Sequence, residues 1–245
     1  MNQVIKGDCL EVMKDIPDKS IDMILCDLPY GTTACKWDTV IPFEPLWEQY
    51  KRIIKDNGAV VLTASQPFTS ALVMSNVKYF KYSWVWNKKL AGNAILAKKQ
   101  PLKIHEDILV FCYGKSPYLP QMTEGKFRKG ASYENKKNNK RFGTWSVNKF
   151  ETKEGTARYP VSIQDFSNAG LRINKVHLTQ KPVALFEYLI KTYTNEGDLV
   201  LDNCAGSGTT GVACKNLNRN FILIEKEQEY IDIINKRIAD DQRPI

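Results

Sequence analysis

Ile21-Asp22-Met23-Ile24-Leu25-Cys26, followed at once by Asp27-Leu28-Pro29-Tyr30-Gly31, is the stretch on which the reading of this chain turns. An apolar run of this length, bounded by turn formers, predicts a buried strand. It carries an acid, then a proline that cannot continue a ladder, then an aromatic ring, to the carboxyl edge of a sheet. In open α/β sheets that edge is where ligands bind. A carboxylate accepts hydrogen bonds and an aromatic ring stacks, so the pair suits a flat, amino-bearing ring. The same residues also suit a plain strand ending in an Asp-Pro type turn. The rest of the chain has to decide.

Towards the amino terminus, Gln3-Val4-Ile5-Lys6 predicts a short strand closed by Gly7-Asp8, with Asp8 able to cap a helix over residues 9–14. Residues 31–38 read as a polar loop carrying Trp37-Asp38. Beyond it, Leu46, Trp47, Tyr50, Ile53 and Ile54 recur at helical spacing, and Asn57-Gly58 reads as the helix stop. Ala59-Val60-Val61-Leu62 is the next expected strand, Thr63-Ala64-Ser65-Gln66-Pro67 its exit loop, and 68–74 a helix. Alternation over 78–86 places Phe80, Tyr82, Trp84 and Trp86 on one face of a strand, and 104–113 supplies another. After a long interruption, Pro182 suits the first position of a helix with Leu185, Phe186, Leu189 and Ile190 on its inner face. Then come a strand over 198–202, a helix over 212–216, a strand over 221–224 ending at Glu225, and a terminal helix presenting Tyr230, Ile231, Ile234 and Ile238. Strands and helices alternate, so the expected fold class is α/β, a doubly wound sheet.

The chain has 245 residues, enough for a full core, and an ordinary 43% hydrophobic and 25% charged content. No apolar run approaches the roughly 20 residues of a membrane span, and the start of the chain lacks the long apolar core of a signal peptide. The six cysteines (Cys9, Cys26, Cys35, Cys112, Cys204, Cys214) form no C-x-x-C pair and read as reduced, placing the protein in the cytoplasm. With only His105 and His177, and no ligand-like spacing, no metal site is expected.

The net charge of +8 is unevenly placed. Residues 1–87 hold nine Lys and Arg against ten Asp and Glu, and residues 159–245 hold ten against eleven. Residues 88–158 hold sixteen against six and so contain the whole excess. Within them Lys126, Arg128, Lys129, Lys136, Lys137, Lys140 and Arg141 are interleaved with Phe127, Tyr133, Phe142, Trp145 and Phe150. Cations supply phosphate contacts and rings stack on bases, so nucleic acid is the favoured partner over a merely solvated loop. From Gly114 to about Asn174 apolar runs are few, and a loop of that length is rare unless functional. The expected organisation is therefore 1–113 and 175–245 as two parts of one domain, with 114–174 an inserted recognition region.

A second site lies near the far end. Gly206-Ser207-Gly208-Thr209-Thr210-Gly211 follows a strand, opens a helix and is succeeded by an acid, Glu225, at the tip of the next strand. Glycines admit a ligand to the backbone, a helix N-terminus favours an anion, and the acid can take ribose hydroxyls. That pattern suits any adenosine-type cofactor, NAD and S-adenosylmethionine included. Two features favour the latter. Asp202, directly before the turn, would repel a pyrophosphate but hold a methionine ammonium. The turn also comes late, after the basic segment, instead of opening the chain.

Taken together these residues resemble the amino-group DNA methyltransferases. Asp27-Leu28-Pro29-Tyr30 resembles their D-P-P-Y motif, Asp202 to Gly208 their cofactor loop, and Thr179-Gln180-Lys181-Pro182 their T-Q-K-P element. The order, catalytic motif first, recognition region next and cofactor loop last, is that of the beta class. There are departures: Leu28 stands where the first proline is usual, and Asn203-Cys204 where Pro-Phe is usual.

The resemblance implies a Rossmann-like methyltransferase sheet, S-adenosyl-L-methionine as methyl donor, and site-specific methylation of a base flipped out of double-stranded DNA. It admits a homodimer and a cognate restriction endonuclease system. By the same resemblance, Asp27, Leu28, Pro29 and Tyr30 carry catalysis. Asp8, Cys9, Lys181, Asp202, Cys204, Ala205, Gly206, Ser207, Gly208, Thr209 and Glu225 hold the cofactor, with Lys181 reaching its carboxylate. His105-Glu106 could lie near the target strand. Lys88, Lys89, Lys98 and Lys99 join the basic residues of the insert as DNA contacts. Acid at position 27, where cytosine enzymes of this type often carry Ser, favours adenine N6 over cytosine N4.

Overall fold

The computed structural model describes residues 2–33, 35, 38–115, 117–134, 149–168 and 180–240. The expectations for Trp37, Lys136, Lys137, Lys140, Arg141, Phe142, Trp145, His177 and Thr179 lie outside the described residues, and the side chains of Tyr133 and Phe150 are likewise not described.

The chain divides into two compact units, Met1–Leu119 with Ser162–Ile245, and Pro120–Val161. The first is built on an eight-stranded sheet in the order β1-β12-β11-β2-β3-β5-β4-β10, counted among the described residues. Its strands are β1 (Asn2–Lys6), β2 (Ile21–Cys26), β3 (Ile54–Ala64), β4 (Phe80–Asn87), β5 (His105–Phe111), β10 (Ile163–Asp165), β11 (Leu199–Asp202) and β12 (Asn220–Glu225). Among the described residues six α-helices flank them: α1 (Cys9–Val12), α2 (Phe43–Ile53), α3 (Phe68–Ser75), α4 (Val183–Tyr193), α5 (Thr209–Asn216) and α6 (Gln228–Asp240).

Alternation of side chains along each strand builds two cores, one on each face. Ile24, Cys26, Val60, Leu62, Leu109 and Phe111 meet α1, α2 and α3 through Cys9, Leu46, Tyr50, Ile53 and Leu72. Met23, Leu25, Val61, Ile108 and Val110 meet α4, α5 and α6 through Leu185, Leu189, Ile190, Ala213 and Ile234. The sheet is thus covered on both sides, as an open α/β sheet requires.

The sheet is mixed, because β5 pairs antiparallel with both β3 and β4 while the other pairings among its described strands are parallel. The reversal brings the start of β5 to the same edge as the ends of β2, β3 and β4. β2 sits between β3 and β11, so the chain leaves in opposite directions on its two sides. Asp27 therefore lies at a topological switch point, where α/β sheets form their crevice.

Several local expectations are corrected. Asn57-Gly58 does not stop α2: the helix ends at Ile53 and β3 runs through both residues. Ile54 is fully buried and pairs with Ile21. A register shift between Ile21 and Met23 accommodates Lys55–Gly58, with the Lys55 ammonium 2.6 Å from Asp22 Oδ1. Phe80 does not share a face with Tyr82, Trp84 and Trp86. A second register shift, between Phe80 and Tyr82, turns it to Phe111 and the first core. Pro182 precedes α4 as its cap residue, and α5 begins at Thr209, earlier than expected.

The second compact unit, Pro120–Val161, is narrower than the insert expected over 114–174. Residues 162–165 belong to the first unit because Ile163–Asp165 pairs with Val85–Asn87 at the edge of the sheet. Leu119 also belongs there, its N–H bonding Thr192 O at 2.8 Å. The second unit holds two antiparallel ladders: β6 (Thr123–Arg128) with β9 (Gly155–Arg158), and β7 (Ala131–Glu134) with β8 (Lys149–Thr152). β6 exposes every residue, so its polar sequence lacks the alternation that marks a half-buried strand.

Candidate active site

Three strand ends build the centre of the site. β2 delivers Asp27, β3 delivers Thr63, and the reversed β5 delivers Glu106. Tyr30 Oη donates to Asp27 Oδ1 at 2.8 Å and lies 3.0 Å from Thr63 Oγ1, and the Thr63 hydroxyl also donates to Asp27 Oδ1. Lys181 Nζ donates to Asp27 Oδ2 at 2.6 Å and sits 3.5 Å from Glu106 Oε2. Lys88 Nζ closes the row 3.1 Å from Glu106 Oε1.

A carboxylate offers about four lone-pair sites. Tyr30, Thr63 and Lys181 use three on Asp27 and fix its plane, leaving capacity for one more donor. Leu28 is 3% exposed and packs into the first core, which sets the backbone that follows Asp27. The Tyr30 ring stacks on Phe68 at 5.2 Å between centroids, and the Lys181 ammonium lies 5.6 Å from the Tyr30 centroid.

The charges hold one another. Burial works against the Lys181 ammonium, but the Asp27 and Glu106 carboxylates outweigh it and keep its pKa above the ordinary lysine value. Burial likewise opposes the Glu106 charge, and Lys181 and Lys88 hold that carboxyl below the usual range. Burial, then the neighbouring carboxylates, push Tyr30 well up, so it stays a phenol.

The glycine turn lies beside this centre at the end of β11, the neighbour of β2. Gly206 and Gly208 have φ of +52° and +77°, which side chains rarely adopt. Gly211 has another role: a Cβ there would stand 2.7 Å from Leu223, so it permits close packing of α5 on β12. Ala205 N bonds Ile224 O at 3.0 Å, and Arg237 reaches from α6 to Ser207 O and, at 3.1 Å, Ser207 Oγ. Glu225 Oε2 accepts Gly206 N at 2.8 Å, while its Oε1 accepts the N–H groups of Lys226 and Glu227.

Asp202 is 2% exposed and takes Cys204 N at 3.1 Å and the Thr210 hydroxyl. Burial pushes its pKa up to about 6. Asp8 caps α1 through Leu10 N at 2.9 Å, and Gly7 N bonds Glu225 O at 3.0 Å, so Asp8 and Cys9 lie beside the Glu225 strand end. The neighbouring Cys26 thiol, then burial, hold the Cys204 thiol well above the ordinary thiol pKa, against the opposing effect of the Cys9 thiol.

The departures at 203 and 204 acquire a structural account. Asn203 is buried and accepts the Tyr50 hydroxyl at 2.6 Å, tying the turn to α2. Lys181 is the link between the two halves of the site. Its carbonyl accepts the Thr209 hydroxyl at 3.4 Å while its ammonium holds Asp27. That differs from the expectation that its ammonium points to a cofactor.

Glu106 and Thr63 join Asp27 without a local sequence signal that pairs them with it. Their place follows from the reversal of β5 and the length of β3, which local patterning does not report. Lys88 was expected on a DNA backbone but is largely buried against Glu106, because its strand ends beside it. Lys89 pairs with Asp165 at 2.6 Å. Lys98 and Lys99 are exposed in the β4–β5 loop, and Lys126, Arg128 and Lys129 are exposed in the second unit.

The family of N6/N4 DNA methylases matches residues 21–236. The chain belongs to that family. Among relatives of this methylase, the Type II methyltransferase M.HinfI of Haemophilus influenzae is 29% identical, over 98% of this chain and 69% of its own. M.HpaI of Haemophilus parainfluenzae is 28% identical, over 98% and 74%. The crystal structure of an M1.HpyAVI–SAM complex is 27% identical with a TM-score of 0.64, over 97% of this chain and 100% of that one. The cytosine-N4-specific PvuII DNA methyltransferase shares the fold at a TM-score of 0.68 and 16% identity, over 100% and 89%. No helix among the described residues of the methylase is long and apolar enough to cross a membrane.

Proposed function

We propose that this methylase transfers a methyl group from S-adenosyl-L-methionine to adenine N6 in double-stranded DNA, with the base flipped out of the duplex. The observation that carries the reading is Asp27: a carboxylate fixed by Tyr30, Thr63 and Lys181, with acceptor capacity left, one strand away from the glycine turn.

The residues of the turn suit the cofactor. Gly206 and Gly208 leave the backbone free of side chains, and Glu225 and Asp202 provide carboxylates for ribose hydroxyls and for the methionine ammonium. Bound there, S-adenosylmethionine supplies an electrophilic methyl group.

An exocyclic amine is a weak nucleophile because its lone pair is delocalised into the ring. Asp27 accepts one of its N–H groups and the Leu28 carbonyl accepts the other, which localises the lone pair on nitrogen. The N–methyl bond would form as the methyl–sulfur bond of the donor breaks, with the neutral thioether S-adenosylhomocysteine as leaving group, and the surplus proton on nitrogen would pass to Asp27 or water. No cysteine acts as a nucleophile. Flipping costs a few kcal/mol, offset by stacking and edge hydrogen bonds. The basic residues of 114–174 serve as the target-recognition region.

The acid at position 27 favours adenine over cytosine. DNA treated with the protein and labelled cofactor is digested to nucleosides. Label is expected in N6-methyladenine; label in 4-methylcytosine alone rejects the adenine assignment. Asp27→Ala should bind cofactor in calorimetry yet transfer nothing, and full activity in that variant would sink the mechanism.

A further inference from the structure

The β4–β5 connection, residues 88–104, leaves the same edge of the sheet as Asp27. It is a built projection. Lys88 N bonds Ile104 O at 2.7 Å and Gly92 N bonds Lys103 O at 3.3 Å, which extends the hairpin. The Asn93 side chain staples the two limbs, accepting Lys103 N at 2.7 Å and donating to Pro101 O at 3.3 Å. Above that staple Ala94–Leu96 form a short 3-10 turn, continued by bonds from Ala97, Lys99 and Gln100 N–H groups.

At its tip Ile95 is 98% exposed and Leu96 38%. The two cations beside them, Lys98 and Lys99, are exposed as well. The foot of the projection is wired to the centre: Lys88 holds Glu106, Glu106 faces Lys181, and Lys181 holds Asp27. Lys103 on the returning limb donates to the Ser65 hydroxyl in the loop after β3.

A stiff, branched apolar side chain held out into water at a catalytic edge, flanked by lysines, has a matching counterpart in duplex DNA. Apolar wedges enter between base steps, while cations take the adjoining phosphates. We propose that Ile95 is the wedge that enters the stack of the duplex and fills the space vacated by the target base, with Lys98 and Lys99 on the flanking phosphates. This rests on the DNA base-flipping reading above and assigns the step to a residue outside the catalytic motif. Ile95 is a positioning residue: it touches the duplex, not the reacting atoms.

The test uses the full chain and two short duplexes carrying the sequence found methylated in genomic DNA. One is intact, and the other lacks the base opposite the target, so that its pair is already broken. 2-Aminopurine beside the target reports unstacking. Ile95→Ala is expected to bind and methylate the intact duplex about tenfold less well, with a weaker fluorescence rise, and to recover to within about twofold of the unaltered protein on the gapped pair. Ile95→Leu should keep both activities. Lys98→Ala and Lys99→Ala should weaken both duplexes alike, as phosphate contacts do.

Equal loss on both duplexes, or no loss on either, overturns the wedge. So does an Ile95→Asp variant that keeps intact-duplex affinity and loses self-association in sedimentation, which would make the tip a protein contact. If the unaltered protein transfers no methyl to any DNA, the functional reading fails and the wedge with it. Transfer by the unaltered protein leaves the wedge to be decided by the variants alone.

Discussion

Lys181 Nζ stands 2.6 Å from Asp27 Oδ2, so the cation of the T-Q-K-P element is bound to the acid of the D-L-P-Y element and not held apart from it. Lys181 is 7% exposed, and Glu106 is its second carboxylate. We propose on this geometry that it orients Asp27. Lys181→Met should lower kcat by about 10²-fold, the scale of a misplaced reacting group. The KM for S-adenosylmethionine should stay within about twofold. A cofactor-carboxylate contact predicts the reverse, a raised KM at nearly constant kcat, so steady-state kinetics separates the two roles.

Asp202 has the opposite electrostatic character. Burial raises its pKa from 3.8 to about 6, so Asp202 is a carboxylate at pH 7 but one that the fold holds at a cost relative to the unfolded chain. A raised folded pKa contributes stability that is complete below about 4 and is lost as pH rises through about 6. The difference of about two pKa units corresponds to about 3 kcal/mol. Urea unfolding of the cofactor-free protein should show the stability gap between Asp202→Asn and the unaltered chain shifting by about that amount in favour of the variant between pH 4 and 7. A constant gap would place the Asp202 pKa at its ordinary value.

Gly208 is required by its backbone. Its φ is +77°, and a Cβ there would lie 2.9 Å from Ile234 Cγ1 in the second core. Gly208→Ala should cost about 1–3 kcal/mol in denaturant midpoint and weaken cofactor binding through displacement of α5. Gly197 also has positive φ but nothing within 4 Å of its Cβ position, so Gly197→Ala carries the conformational strain without the clash. It should be the milder of the two.

What the sequence made legible was what local chemistry encodes. β2 announces itself by an apolar run ended by Asp-Leu-Pro, and the glycine turn by three glycines at fixed spacing after a strand. The charge partition is a property of composition. What local patterning does not encode is direction and register. Nothing in Asp107-Ile108-Leu109-Val110 reports that β5 runs against its neighbours, yet that reversal puts Glu106 in the site. Asn57-Gly58 carries a helix-stop signature, but burial of Ile54 against Ile21 pulls both residues into β3. Tyr50 and Asn203 are 153 positions apart, and their bond is fixed only when α2 packs beside β11. Within Pro120–Val161, β6 exposes every residue, which leaves no apolar period to read.

The basic unit yields a prediction that separates phosphate contacts from base readout. Lys126, Arg128 and Lys129 are exposed on and just after β6, with Phe127 60% exposed between them. Cations that neutralise phosphates release counterions, so each adds about 0.9 to the slope of log K against log salt. Replacing any one by Ala should reduce that slope by about one and weaken target and non-target duplexes equally. A side chain that reads a base edge would instead lose about 1–3 kcal/mol on the target duplex alone. Fluorescence anisotropy on both duplexes across a salt series distinguishes these outcomes for each residue. A variant whose slope is unchanged on both duplexes removes that residue from the DNA contact.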